Sequence, residues 1–93
     1  MIIAVDYDGT LDIGGEMNIP LIRRLAASQK RGDIIILWSC RAGERLELAV
    51  QNLNRVGFRP NYVNSNTRET IMRLGYDPRK VLADIYIDDK NAR

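Results

Sequence analysis

The chain has 93 residues, near the lower end of what folds alone, and 45% hydrophobic with 28% charged residues argue against a disordered segment. Its net charge of +2 comes from eleven arginines and three lysines without a run of five like charges; such scattering reads as solvated helix faces, with a nucleic-acid partner as the weaker reading. A single cysteine, Cys40, excludes an internal disulfide, and the absence of histidine closes the Ser-His-Asp, Cys-His and zinc-histidine routes.

Any chemistry must therefore run on carboxylates, hydroxyls, Lys, Arg, backbone amides or a hard cation. A core this small is expected to lean on self-association, a metal or both. No apolar run approaches the ~18 residues of a membrane span, and no basic-then-apolar leader precedes Ile2. The expectation is a cytoplasmic protein with no membrane partner.

Residues 1–5 read as a buried strand, short, apolar and β-branched, which runs into Asp6-Tyr7-Asp8-Gly9-Thr10-Leu11. Asp12 and Glu16, around Gly14-Gly15, suit a small surface hairpin. Asn18 can cap a helix with Pro20 in its first turn, running to Arg31 and closed by Gly32, with an apolar face of Leu21, Ile22, Leu25 and Ala26. Residues 34–38 form a second buried strand. Leu46, Ala49, Val50, Leu53 and Val56 then recur at helical spacing over roughly 44–56, with Gly57 as the stop.

Residues 61–64 could be a short strand. Asn66 with Glu69 resembles a capping box for a helix over about 67–74, ending at Gly75. Residues 83–87 form a last strand that ends in Asp88-Asp89. The order βαβαβαβ with buried strands predicts one α/β domain over residues 1–93, a doubly wound, three-layer Rossmann-like parallel sheet.

In open parallel sheets ligands bind at the carboxyl ends of the strands. Those ends carry Asp6 and Asp8, then Ser39, Cys40 and Arg41, then Asn64, then Asp88 and Asp89. Several carboxylates cannot stay ionised together cheaply unless a cation sits among them. Oxygen ligands without His or Cys select a hard ion, and Mg²⁺ fits best. Ser39 precedes the amino end of the second helix, where a hydroxyl, backbone amides and the positive helix end can cradle an anion. Metal on one side and anion cradle on the other suit a phosphoryl group between them.

Asp6-x-Asp8-Gly9-Thr10-Leu11 resembles the first motif of the haloacid dehalogenase superfamily, whose members are mostly phosphatases and phosphotransferases. Ile35-Ile36-Leu37-Trp38-Ser39 is similar to its second motif, and Ile85-Tyr86-Ile87-Asp88-Asp89 to its fourth. The resemblance spans nearly the whole chain. It implies a Mg²⁺-dependent phosphomonoester hydrolase in which Asp6 attacks phosphorus to form an aspartyl-phosphate. Asp8 would protonate the leaving oxygen and later activate water. Mg²⁺ would be held by Asp6, the backbone carbonyl of Asp8 and Asp88, with Asp89 a second or water-mediated ligand. Ser39 would bind a phosphate oxygen, with Cys40 and Arg41 beside it.

The third motif, a basic residue that neutralises phosphate and nucleophile, matches less well. Lys80 is the lysine upstream of the fourth motif and is favoured, although a fully extended path from it to Asp88 spans up to ~26 Å, so residues 75–83 would have to fold back. Arg41 and Lys90 are its rivals. The segments between Thr10 and Ser39, and between Ser39 and Asp88, are consumed by core elements, which predicts a capless member. An open site would accept a large phosphorylated substrate; a small substrate would need a neighbouring subunit as lid. The last strand, as an exposed edge, also favours self-association.

Other readings of the same residues are a receiver-like phosphoacceptor signalling domain and a catalytically idle binding module. Ser39 alone could be a helix cap, Cys40 a small filler with no histidine to activate it, Trp38 a core residue, and Asp84 either structural or a support near the metal.

Overall fold

The apolar run Ile2–Val5 forms β1 of the computed structural model, which describes residues 1–91. After it come the hairpin strands β2 (Asp12–Ile13) and β3 (Glu16–Met17), then α1 (Ile19–Lys30), β4 (Ile34–Leu37) and α2 (Gly43–Arg55). The chain continues through β5 (Tyr62–Val63), α3 (Arg68–Leu74) and β6 (Ile85–Ile87). The hairpin expected around Gly14-Gly15 is present, fastened where the Gly15 amide donates to Asp12 Oδ1 at 2.8 Å.

Strand order is β5-β4-β1-β6, with every pairing parallel. Successive strands leave β1 in one direction, to β4 and β5, and β6 returns to its other side. The strand order therefore reverses between β1 and β6, the place where an open α/β sheet opens a crevice at its carboxyl edge.

Side chains alternate across the sheet, and the two faces are covered differently. Ile3, Val5, Ile35 and Leu37 point to one face and share a core with Leu21, Ile22 and Leu25 of α1 and Ala49 and Leu53 of α2. On the other face Ala4 and Ile36 pack against Val81, with Ile2, Trp38, Tyr62 and Ala83 around them. Among the described residues, α3 contributes to neither apolar cluster. The result is a parallel α/β sheet compatible with a Rossmann-like fold, two of whose helices cover one face while an extended segment lies on the other. Among the described residues, no helix is long and apolar enough to cross a membrane.

One local expectation needs correction, and one open alternative is decided. The cap of α3 is Thr67, whose hydroxyl accepts from the Thr70 amide at 3.1 Å, so the cap lies one residue later than predicted. Asn66 is fully buried instead and binds the following loop: its Nδ2 donates to Asp77 Oδ1 (2.9 Å), the Pro78 carbonyl (3.1 Å) and the Lys80 carbonyl (3.2 Å). Its Oδ1 accepts from the Leu82 amide at 2.6 Å. One side chain thus ties residues 77–82 to the residue that precedes the α3 cap. Asp84, finally, accepts from the Ile2 amide at 2.7 Å, at the amino end of β1, and so lies at the edge opposite the acids of residues 6 and 88.

Candidate active site

β1 pairs Val5 with Leu37 of β4 and with Ile87 of β6. One step beyond these partners stand Asp6, Trp38 and Asp88, held level where the Asp6 amide donates to the Ile87 carbonyl and the Trp38 amide to the Val5 carbonyl, each at 2.9 Å. Strand alternation puts Asp6 and Asp88 on the same face of adjacent strands, which lie about 4.8 Å apart. Both line a cavity of about 180 Å³ with Ala4, Trp38, Cys40, Val81 and Tyr86. Trp38 is half-buried, a core neighbour and a cavity wall at once, and Cys40 is an exposed free thiol.

Asp8 goes the other way. Gly9 takes the left-handed conformation (φ 78°), which a residue without Cβ adopts at little cost. A Cβ at position 9 would lie 3.5 Å from the Asp89 Cβ, so the second acid of the last pair rests against this turn. The turn is tied by the Leu11 and Asp12 amides, which donate to the Tyr7 carbonyl at 2.9 and 3.0 Å. Among the described residues, no hydrogen bond reaches the Asp8 carbonyl. Thr10 is fully buried, and its hydroxyl makes no hydrogen bond, to either acid or to any other group among the described residues.

The carboxylate of Asp8 is gripped by Arg41: Nη2 donates to Oδ1 at 2.8 Å and Nε to Oδ2 at 2.9 Å. The guanidinium also lies over the Tyr7 ring, 4.7 Å from its centroid, and Nη1 donates to the Arg45 carbonyl at 3.3 Å. Tyr7, between the two acids, is fully buried, and its hydroxyl accepts from Asn52 Nδ2 at 3.2 Å. Opposite alternation thus places Asp6 on one side of the strand, Tyr7 in the helix-covered core, and Asp8 on the turn above it.

Ser39 lies in the loop between β4 and α2. Its Oγ accepts from the Arg41 amide at 3.0 Å; the N-cap of α2 is Ala42, which offers no side-chain acceptor. Ser39 is therefore not the helix cap. Asn64 braces this loop from the end of β5: its Oδ1 accepts from the Ser39 amide at 2.7 Å and its Nδ2 donates to the Arg41 carbonyl at 3.4 Å. Its backbone is left-handed (φ 51°), a conformation asparagine tolerates better than most residues.

The electrostatics separate the two acids. Burial pushes the Asp6 carboxyl above its ordinary value, the Tyr7 amide (2.9 Å from Oδ1) pulls against this, and the charges of Asp8, Asp89 and Asp88 add to the rise. The Arg41 hydrogen bonds hold the Asp8 carboxyl below its ordinary value. Lys80 is exposed, and among the described residues the only ion pairs are Arg41–Asp8 and the amino terminus with Asp33. The structure thus sets Arg41 in contact with the site and leaves Lys80 and Lys90 without a bond to Asp6 or Asp8. Asp88 Oδ1 accepts from the Lys90 amide at 2.9 Å.

No group of three acidic or cysteine side chains among the described residues is close enough to hold a metal by side chains alone. The donor set nevertheless fits Mg²⁺, which takes one or two carboxylates and otherwise keeps water or phosphate oxygens. Asp6 and Asp88 line one cavity, and the Asp8 carbonyl is not otherwise engaged.

Fold and site together define a parallel α/β protein with a crevice at the carboxyl edge of its sheet that holds Asp6 and Asp88, with Cys40 of the serine–arginine loop in its wall. The chain is 33% identical to a conserved protein from Bacteroides thetaiotaomicron of solved structure, with a TM-score of 0.77, over 98% of this chain and 77% of that one. It belongs to the same family as that conserved protein. No protein-family model and no curated protein matches the chain.

Proposed function

We propose that the protein is a Mg²⁺-dependent phosphomonoester hydrolase built on a minimal, capless core of the haloacid dehalogenase type, with Asp6 as nucleophile. The observation that carries this reading is the division of labour between Asp6 and Asp8. One strand end aims a half-buried carboxylate at the β1–β6 crevice beside Asp88, while the glycine turn sends the other to the serine–arginine loop.

Asp8, once off Arg41, takes a proton from water; Asp6 Oδ attacks phosphorus, the P–O bond to the leaving group breaks, and Asp8 passes that proton to the leaving oxygen. Water, deprotonated by Asp8, then attacks the aspartyl-phosphate and releases phosphate and free Asp6. Asp6, the Asp8 carbonyl and Asp88 would hold Mg²⁺, with Asp89 a second or water-mediated ligand; the ion would neutralise the clustered acids and the phosphoryl oxygens. Ser39 Oγ and the Cys40 amide bind phosphoryl oxygen. Arg41, the cation in contact with the site, fills the neutralising role in preference to Lys80. With no lid over the crevice among the described residues, the substrate is either macromolecular or small and covered by a second subunit.

The test is p-nitrophenyl phosphate turnover with and without Mg²⁺. Asp6→Asn should lower kcat by at least ~10³-fold and Asp8→Asn by ~10²-fold or more. Turnover unchanged by Asp6→Asn removes the covalent mechanism, and a stable phospho-Asp6 without turnover moves the protein to the receiver-like class.

A further inference from the structure

The Asp8–Arg41 pair is oddly placed for a hydrolase: the group that must meet the leaving oxygen is already fully engaged. The two partners are held unequally. The Arg41 side chain is 14% exposed, stacked on the buried Tyr7 ring, with its backbone fixed between Ser39 Oγ and Asn64 Nδ2. The Asp8 side chain is 55% exposed and stands on a glycine turn. When the pair parts, Asp8 leaves and Arg41 stays.

The guanidinium is also incompletely used. Of its five N–H groups, Nε and one on Nη2 hold Asp8, and one on Nη1 holds the Arg45 carbonyl. One N–H on Nη1 and one on Nη2 remain, enough to take an incoming oxygen before any bond to Asp8 breaks. A phosphoryl dianion carries more charge than a carboxylate and matches the planar fork equally well.

We propose that Arg41 is a latch that a phosphoryl dianion opens: it holds Asp8 in the empty site, exchanges that carboxylate for phosphoryl oxygens, and frees Asp8 to turn to the leaving oxygen. This rests on the reading of the crevice as a phosphate site and adds to it an order of events. The exchange involves hydrogen bonds only and no covalent step. Arg41 is thus a binding residue for phosphate and a positioning residue for Asp8.

Binding of inorganic phosphate, followed by titration calorimetry without Mg²⁺ at fixed ionic strength, tests the exchange without requiring turnover. The set is the wild type, Asp8→Asn, Arg41→Gln and the double variant, with Arg41→Lys as a charge-preserving control and thermal melts to verify folding. Removing the competitor should tighten phosphate about tenfold in Asp8→Asn, and Arg41→Gln should weaken it about tenfold. The decisive quantity is the coupling: in the Arg41→Gln background, Asp8→Asn should gain less than about twofold. Arg41→Lys, which cannot fork, should show a reduced gain.

An equal gain in both backgrounds would mean simple relief of charge repulsion and would overturn the latch. So would no gain, or no phosphate binding by any variant. Coupling without p-nitrophenyl phosphate turnover would sink the hydrolase reading and keep the latch; turnover without coupling would do the reverse.

Discussion

Asn64 offers a quantitative check on how the serine–arginine loop is held. Asn64→Ala removes the acceptor of the Ser39 amide, a 2.7 Å bond, which costs about 1–2 kcal/mol for a half-buried donor. It also forces an alanine to φ 51°, for about another 1–2 kcal/mol. The weaker 3.4 Å contact to the Arg41 carbonyl adds a few tenths at most. The total, about 2–4 kcal/mol, is a large share of the ~5–14 kcal/mol expected for a domain of this size. Asn64→Gly loses the same bonds without the left-handed penalty but adds about 0.4–1 kcal/mol through the freer unfolded chain. Glycine should therefore exceed alanine by about 0.5–1 kcal/mol, or ~0.5–1 M in the urea midpoint at a slope near 1 kcal/mol/M. Equilibrium urea unfolding reads the gap, and equal slopes verify that the two variants share native and denatured states. In p-nitrophenyl phosphate assays both should fall about tenfold in kcat/KM, because both leave the Ser39 amide unbraced. A glycine variant no more stable than alanine would refute the backbone-strain component. A glycine variant with full turnover would show that the loop does not depend on this brace.

Three further outcomes follow from the same geometry. An acid whose folded value lies above its unfolded value contributes stability below the unfolded value and loses it as pH rises through the folded one. Asp6→Asn should accordingly raise Tm at pH 7 by a few degrees, with the gain shrinking as pH falls through the raised Asp6 value and gone below the ordinary carboxylate value, and Mg²⁺ stabilising the wild type more than the variant; a fall in Tm at pH 7 would contradict the burial of Asp6 and its crowding by Asp8, Asp89 and Asp88. Asn66→Ala should cost about 3 kcal/mol or more, since four hydrogen bonds to residues 77–82 vanish from a buried site, and hydrogen exchange should show the Leu82 amide losing protection first. Gly9→Ala should cost about 1–2 kcal/mol by urea unfolding and Gly9→Asn less, because the position demands φ 78° while leaving ordinary van der Waals room beside Asp89.

Local patterns in the sequence carried much of the fold. β1 and β4 are apolar runs, α1 has helical periodicity with a cap and a stop, α2 has periodicity and a stop, and the hairpin has paired glycines; each signal lies in or beside the element it describes. The pattern failed at Asn66, where a cap and a tertiary clamp demand the same residue type, and only the position of residues 77–82 in space tells them apart. The placement of the acids was legible because strand ends in a parallel sheet share an edge. The Arg41–Asp8 fork was not: its geometry depends on the Tyr7 ring beneath the guanidinium and on a left-handed Asn64, and neither has a periodicity to announce it. Arg41 could be named from its place after Ser39, but its contact with Asp8 could not be. A covered second face was expected from the alternating pattern, but that Val81 and Ala83 of an extended segment would supply its apolar contacts was not.

Tyr7 is the middle letter of the Asp6-x-Asp8 pattern, the one ordinarily written as a wildcard. Here its hydroxyl is tied to Asn52 on α2 and its ring carries Arg41, which in turn holds Asp8. Positions 7, 41 and 52 form one column assembled from three separate stretches of chain. They would have to drift together, with a smaller side chain at one place demanding a compensating change at the others. A signature that spells out the two acids and ignores the letter between them records the carboxylates and discards the word that says how they are aimed.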